Sequence, residues 1–178
     1  MHNGLPVALN REKQQQRLLK NGTAWDCLLF AQRFPDSDVK ALQDRVMACG
    51  SAWECTMFAT AIPGADMSAV QARVLEIGTP DDVLAFAISG IAKGFVGLDL
   101  SALQNVIVSR GTAEQCQRFA ISIPGADIKA LQARVLAIGE IQDCLFFADQ
   151  VPGADQEALR AHAQAFLDPE TAASSLAP

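Results

Sequence analysis

Residues 111–138, GTAEQCQRFAISIPGADIKALQARVLAI, recur along the chain, and this recurrence restricts the fold more than any other feature. Further copies begin at Gly22, Gly50, Gly78 and Gly139. Neighbouring copies are 28 residues apart except for the step from Gly78 to Gly111, which is 33. A fixed period of this size marks a repeat architecture, in which one small supersecondary unit is copied and stacked.

Each unit reads as two helices. Its opening glycine is followed by Thr23, Ser51, Thr79 or Thr112, and three residues later by Asp26, Glu54, Asp82 or Gln115. That spacing is a capping box, in which the hydroxyl accepts from the N3 amide and the N3 side chain reaches back to the cap. Glu140 replaces the hydroxyl in the fifth copy, while Asp143 keeps the partner position. The glycine suits a left-handed C′ residue that ends the preceding helix. Cys27, Phe30, Ala31 and Phe34 then fall at i, i+3, i+4 and i+7, one face of a helix, and the pattern returns from Cys55, Cys116 and Cys144. Pro-Gly-Ala-Asp at 63–66, 124–127 and 152–155 ends that helix. Asp38, Asp66, Asp99, Asp127 and Asp155 are placed to N-cap the next one. The second helix carries Val39, Leu42, Val46 and Cys49 on one face, repeated as Met67, Val70, Val74 and Ile77.

The predicted fold class is therefore all-α, an α-α superhelix of five hairpin repeats at 22–49, 50–77, 78–110, 111–138 and 139–166. Residues 10–21 align with a second helix but have Lys13 and Gln14 at positions that are apolar elsewhere, as suits an N-terminal capping helix. One leading helix and five pairs give eleven helices. Residues 1–9 read as a leader, 10–167 as a single domain and 168–178 as a disordered tail. The third repeat departs from the others: Val83 stands where others have Cys, and Gly90, Gly94 and Gly97 lie in a connection five residues longer than the rest, expected to bulge as a loop over 90–94. In architecture, residues 10–166 resemble HEAT-like α-solenoids, although the 28-residue period is shorter than is usual there. The resemblance implies a scaffold or adaptor and carries no functional residues across.

The chemistry of the chain points the same way. No phosphate loop, paired metal-ligand motif or nucleophile elbow is present, and no metal or cofactor is expected. Four of the five cysteines hold one apolar repeat position, the pattern of buried thiols in a reducing, cytoplasmic setting. His2 and His162 are the only histidines, and His162 aligns with Arg45, Arg73 and Arg134. Acid–base or Cys–His catalysis has no evident constellation, so the chain is read as a non-enzyme. A net charge of −6 disfavours a protein built to grip a phosphate backbone. No apolar run is long enough to span a bilayer, so no membrane partner is expected.

Binding candidates come from two kinds of position. Gln43, Gln71, Gln104 and Gln132 recur at one site, with Arg45, Arg73 and Arg134 two residues on. These could form a polar groove for an acidic or extended partner. They could equally form a network between repeats, with Arg reaching a capping-box acid and Gln bridging to neighbouring backbone, the more economical reading of a residue that every repeat shares. Positions that differ between repeats suit specific recognition better. Trp25 and Trp53 occupy one of these, where later repeats have Asp81, Glu114 and Gln142. Tryptophan is enriched among interface anchors, though two indoles could also fill a seam between repeats. Lys93 is the one charge in the 90–94 insertion, which reads either as a functional loop or as a tolerated insertion. The expected function is a protein-binding scaffold for a peptide or protein, another copy of itself included. The alternatives are a nucleic-acid-associated HEAT-like protein using the aligned arginines, or an acidic inhibitor of a nucleic-acid-binding protein.

Overall fold

A computed structural model of the chain describes residues 5–167. Eleven α-helices and no strand occur among them: α1 Leu5–Asn21, α2 Ala24–Arg33, α3 Val39–Cys49, α4 Ala52–Ala61, α5 Met67–Ile77, α6 Pro80–Ala92, α7 Leu100–Arg110, α8 Ala113–Ser122, α9 Ile128–Ile138, α10 Ile141–Gln150 and α11 Gln156–Leu167. The all-α hairpin-repeat class expected from the 28-residue period is the class observed. The capping helix is longer than its sequence alignment suggests, because it starts at Leu5 and takes in much of the expected leader. The expected tail at 168–178 lies outside the described residues.

The described residues form two compact units. The first comprises residues 5–82 together with 92–98, and the second comprises 83–91 together with 99–167. The division falls in the third repeat, the one that breaks the period. In the first unit α2 packs on α3 and α4 on α5, α3 and α2 each pack on α4, and α1 lies against α2 and α3. In the second, α8 packs on α9 and α10 on α11, α10 also meets α8 and α9, and α7 meets α8 and α9. Hairpin thus follows hairpin in sequence order within each unit. Phe58, Phe86, Phe119 and Phe147, one residue of the repeat, are wholly buried, as are Leu42, Val46, Leu131 and Val135 from the second helices. Each such side chain contributes about 1.5–3 kcal/mol by leaving water.

The caps form as the sequence predicts. Thr23 Oγ1 accepts from Asp26 N at 3.1 Å while Asp26 Oδ2 accepts from Thr23 N at 3.0 Å, and Ser51–Glu54, Thr79–Asp82 and Thr112–Gln115 repeat the exchange. At Glu140 the Asp143 carboxylate accepts from the cap N–H at 2.9 Å. All five aspartates expected to cap second helices do so, each accepting from the amide three residues on.

The boundary glycines work differently from the expectation. Gly50, Gly78, Gly111 and Gly139 are extended, with φ of −90°, −78°, −76° and −78°, and are not left-handed. The reason for glycine here is close approach. At Gly111 a Cβ would lie 2.5 Å from the Ile107 carbonyl oxygen, and at Gly139 2.6 Å from that of Val135. The left-handed glycines sit inside each hairpin. Gly64, with φ 83°, follows Pro63 in a turn closed by Ala65 N donating to Ile62 O at 3.3 Å. Proline then glycine with positive φ at the two central positions is a type II turn, and Gly125 and Gly153 repeat it.

The third-repeat insertion is also partly corrected. Gly90, Ile91 and Ala92 belong to α6, with Gly90 buried, so the extra residues lengthen a helix before they form a loop. The connection proper is residues 93–99. Its turns use Gly94 and Gly97 at φ 69° and 90°, and Val96 within it is almost fully exposed.

The first and last hairpins show what the stack covers. Phe34 is half-buried where Ile62, Ile123 and Val151 are buried, and the Arg11 and Arg33 guanidiniums lie 5.8 and 5.6 Å from its ring centre. Leu145 is 38% exposed, whereas Leu28, Thr56, Leu84 and Gln117 at the same repeat position are buried.

Candidate functional site

The glutamines of the second helices are buried. Gln43 Nε2 donates to the Asp66 carbonyl at 2.9 Å, and its Oε1 accepts from Asp66 N at 2.7 Å. Gln104 clamps Asp127 in the same way at 3.0 and 2.9 Å, and Gln132 clamps Asp155 at 3.5 and 2.7 Å. Gln71 is buried at the equivalent position. Each clamp pairs the main-chain N–H of a capping aspartate where loop becomes helix, a group that is costly to bury unpaired, and gives its C=O a second donor beside the helical N–H four residues on. The network reading of this ladder is what the geometry provides. Gln15 makes the clamp on Asp38, at 3.4 Å in both directions, and sequence reasoning missed it. The signal was present: Gln15 lies one period before Gln43.

The arginines are half-buried, and two of them turn to backbone rather than to the capping acids that were expected. Arg45 donates through two nitrogens to the Gly22 carbonyl at 3.0 and 2.8 Å, and Arg134 to the Gly111 carbonyl at 3.4 and 3.2 Å. The capping carboxylates already serve their own helices, so the guanidinium takes the carbonyl beside them. Arg73 pairs with Glu76 on its own helix at 2.8 Å. Lys93 is exposed, immediately after α6.

The four repeat cysteines Cys27, Cys55, Cys116 and Cys144 are buried, and Cys49 is exposed. Burial pushes the Cys27 and Cys116 thiols up to about 11, and raises Cys55 and Cys144. Such thiols are poor nucleophiles at neutral pH. His162 packs its ring edge-on against Phe166 at 5.1 Å.

Trp25 and Trp53 stand apart from these core arrangements. They are the second residues of α2 and α4, 46% and 51% exposed, and their rings stack with centroids 6.4 Å apart and planes 13° from parallel. The one-repeat offset between α2 and α4 brings them together. Leu29, one turn along α2 from Trp25, is 49% exposed. The equivalents of the tryptophans, Asp81, Glu114 and Gln142, are polar, so the repeat itself does not require an indole here. The first turns of α2, α4 and α6 add Asp26, Glu54, Asp81 and Asp82 and hold no lysine or arginine. Among the described residues no helix is long and apolar enough to cross a membrane. No protein-family model, curated protein or solved structure matches the chain, so the candidate site rests on its own geometry.

Proposed function

We propose that this chain is a non-catalytic protein-binding module, an α-solenoid of the HEAT-like kind, with its recognition surface centred on Trp25 and Trp53. One observation carries the reading: two stacked indoles remain half exposed at a position where the other repeats do without them. Large, rigid aromatic side chains bring contact area at low entropic cost and are common binding anchors. The repeat-wide glutamines and two of the aligned arginines serve neighbouring backbone, which leaves the tryptophan edge as the individual feature of this surface. The same use of Arg45 and Arg134 weighs against a basic strip for nucleic acid. The test is selection from a random peptide display library on the wild-type protein, with a Trp25→Ala/Trp53→Ala protein as the counter-target. Enrichment of sequences that bind the wild type and not the variant is expected. A selection that yields no tryptophan-dependent sequence overturns the reading.

A further inference from the structure

The chemistry around the two indoles narrows the partner, given the reading above that they form the recognition surface. Asp26 follows Trp25 and Glu54 follows Trp53, each fixed by its capping box, and Asp81 takes the tryptophan position one repeat on. The Thr23 hydroxyl and main-chain N–H hold the Asp26 carboxyl below its usual range, so it stays charged. Lys20 lies in the last turn of α1, and Arg45 is spent on the Gly22 carbonyl. An indole face attracts cations through its quadrupole, more strongly than the other aromatic side chains do. A rim of carboxylates adds to that attraction and repels phosphate or acidic chains. The guanidinium is planar and weakly hydrated, and stacks on an aromatic ring better than an ammonium does.

We infer that the Trp25–Trp53 pair is a receptor for a basic segment of a partner protein, which lays an arginine guanidinium against the indoles within reach of Asp26, Glu54 and Asp81. The chain supplies a direct readout. It has two tryptophans and no tyrosine, so its indole fluorescence comes from this pair alone.

The test titrates the full chain with a short capped peptide alternating arginine and serine, and with counterparts in which lysine, glutamine or glutamate replaces arginine. A single-stranded oligouridine is the nucleic-acid control. The arginine peptide should change the tryptophan emission saturably, bind more tightly than the lysine peptide, and weaken as salt is added. By calorimetry, Trp53→Leu, with its fold checked by circular dichroism, should lower the affinity about fivefold to tenfold. Trp53→Phe should lower it less, and gives the same readout should the leucine variant misfold. Asp81→Asn should weaken binding while leaving the indoles in place. Equal binding of the lysine peptide overturns the guanidinium assignment. The inference fails if the glutamine peptide binds as well, if the arginine peptide binds without changing the emission, if oligouridine or the glutamate peptide gives the larger change, or if nothing binds. Display selection separates the two levels: tryptophan-dependent but uncharged peptides would leave the surface standing and remove its basic specificity, whereas no tryptophan-dependent peptide would remove both.

Discussion

The Gln43 side-chain amide pairs with both main-chain groups of Asp66, one repeat further on, at 2.9 and 2.7 Å. It behaves as a short piece of backbone supplied by a side chain. Gln43→Leu keeps much of the volume and leaves the Asp66 N–H without its partner, while the Asp66 C=O keeps its helical bond from Val70 N at 3.1 Å. It should cost about 1–3 kcal/mol in urea unfolding, the range for orphaning buried polar groups. Gln15→Leu, whose clamp is longer at 3.4 Å and more open, should cost less. Equal and negligible costs would show that water replaces the clamp freely.

Two classes of glycine should respond differently to alanine. At Gly111 a Cβ would meet the Ile107 carbonyl oxygen at 2.5 Å, a contact the helix end cannot relieve without opening. Gly111→Ala should cost roughly 3 kcal/mol or more, among the severe single substitutions. At Gly125 nothing lies within 4 Å of a Cβ, but φ is 80°. Gly125→Ala should then cost only about 1–2 kcal/mol, the conformational penalty for an L-residue. Thermal or urea denaturation of the two variants gives the order.

Truncating a tryptophan should cost less stability than truncating a core phenylalanine. Trp53 is 51% exposed, so Trp53→Ala removes only part of an indole's packing, about 1–2 kcal/mol by area. Phe58, in the same helix and wholly buried, should cost about 3–5 kcal/mol when cut to alanine. If Trp53→Ala matches Phe58→Ala in denaturant unfolding, the indole is a core residue and the recognition surface loses its anchor.

The thiols make a prediction for alkaline pH. Cys27 and Cys116 titrate near 11 in the folded chain because burial disfavours the thiolate, whereas an unfolded cysteine titrates near its ordinary value. A folded pKa raised above the unfolded one gives stability that is intact below the unfolded value and lost as pH climbs toward the folded value. Unfolding free energy should therefore begin to fall near pH 9 and keep falling to about 11. At neutral pH a disulfide reagent should modify Cys49 quickly, and the other four cysteines only after denaturation. Rapid modification of all five would contradict the packing.

Much of this was readable in the sequence because it is local. Thr23 with Asp26, or Asp66 with the start of α5, involves groups a turn apart, and the repeat period multiplies each signal several times. The boundary glycines were placed correctly and explained wrongly, since a residue barred by a neighbouring carbonyl and one freed for positive φ are the same letter. The α6 extension hid for a similar reason. Gly90 signals a loop to local propensity, and burial against neighbours kept it helical. The candidate site was half legible. Trp25 and Trp53 could be placed on one edge by counting repeats, but their stacking and exposure depend on how α2 meets α4, which no single helix encodes. The roles of Arg45 and Gln43 turned on partners 23 residues away, and there the period alone could not choose between groove and seam.

The clamps have a consequence for how the molecule is made. Their reach of 23 residues means that a capping aspartate is met by a glutamine already synthesised one repeat earlier. Contacts this close along the chain form quickly, because little loop entropy is lost in closing them. Within each unit a growing polypeptide can add one finished hairpin to the last as it leaves the ribosome, so that the order of translation becomes the order of assembly.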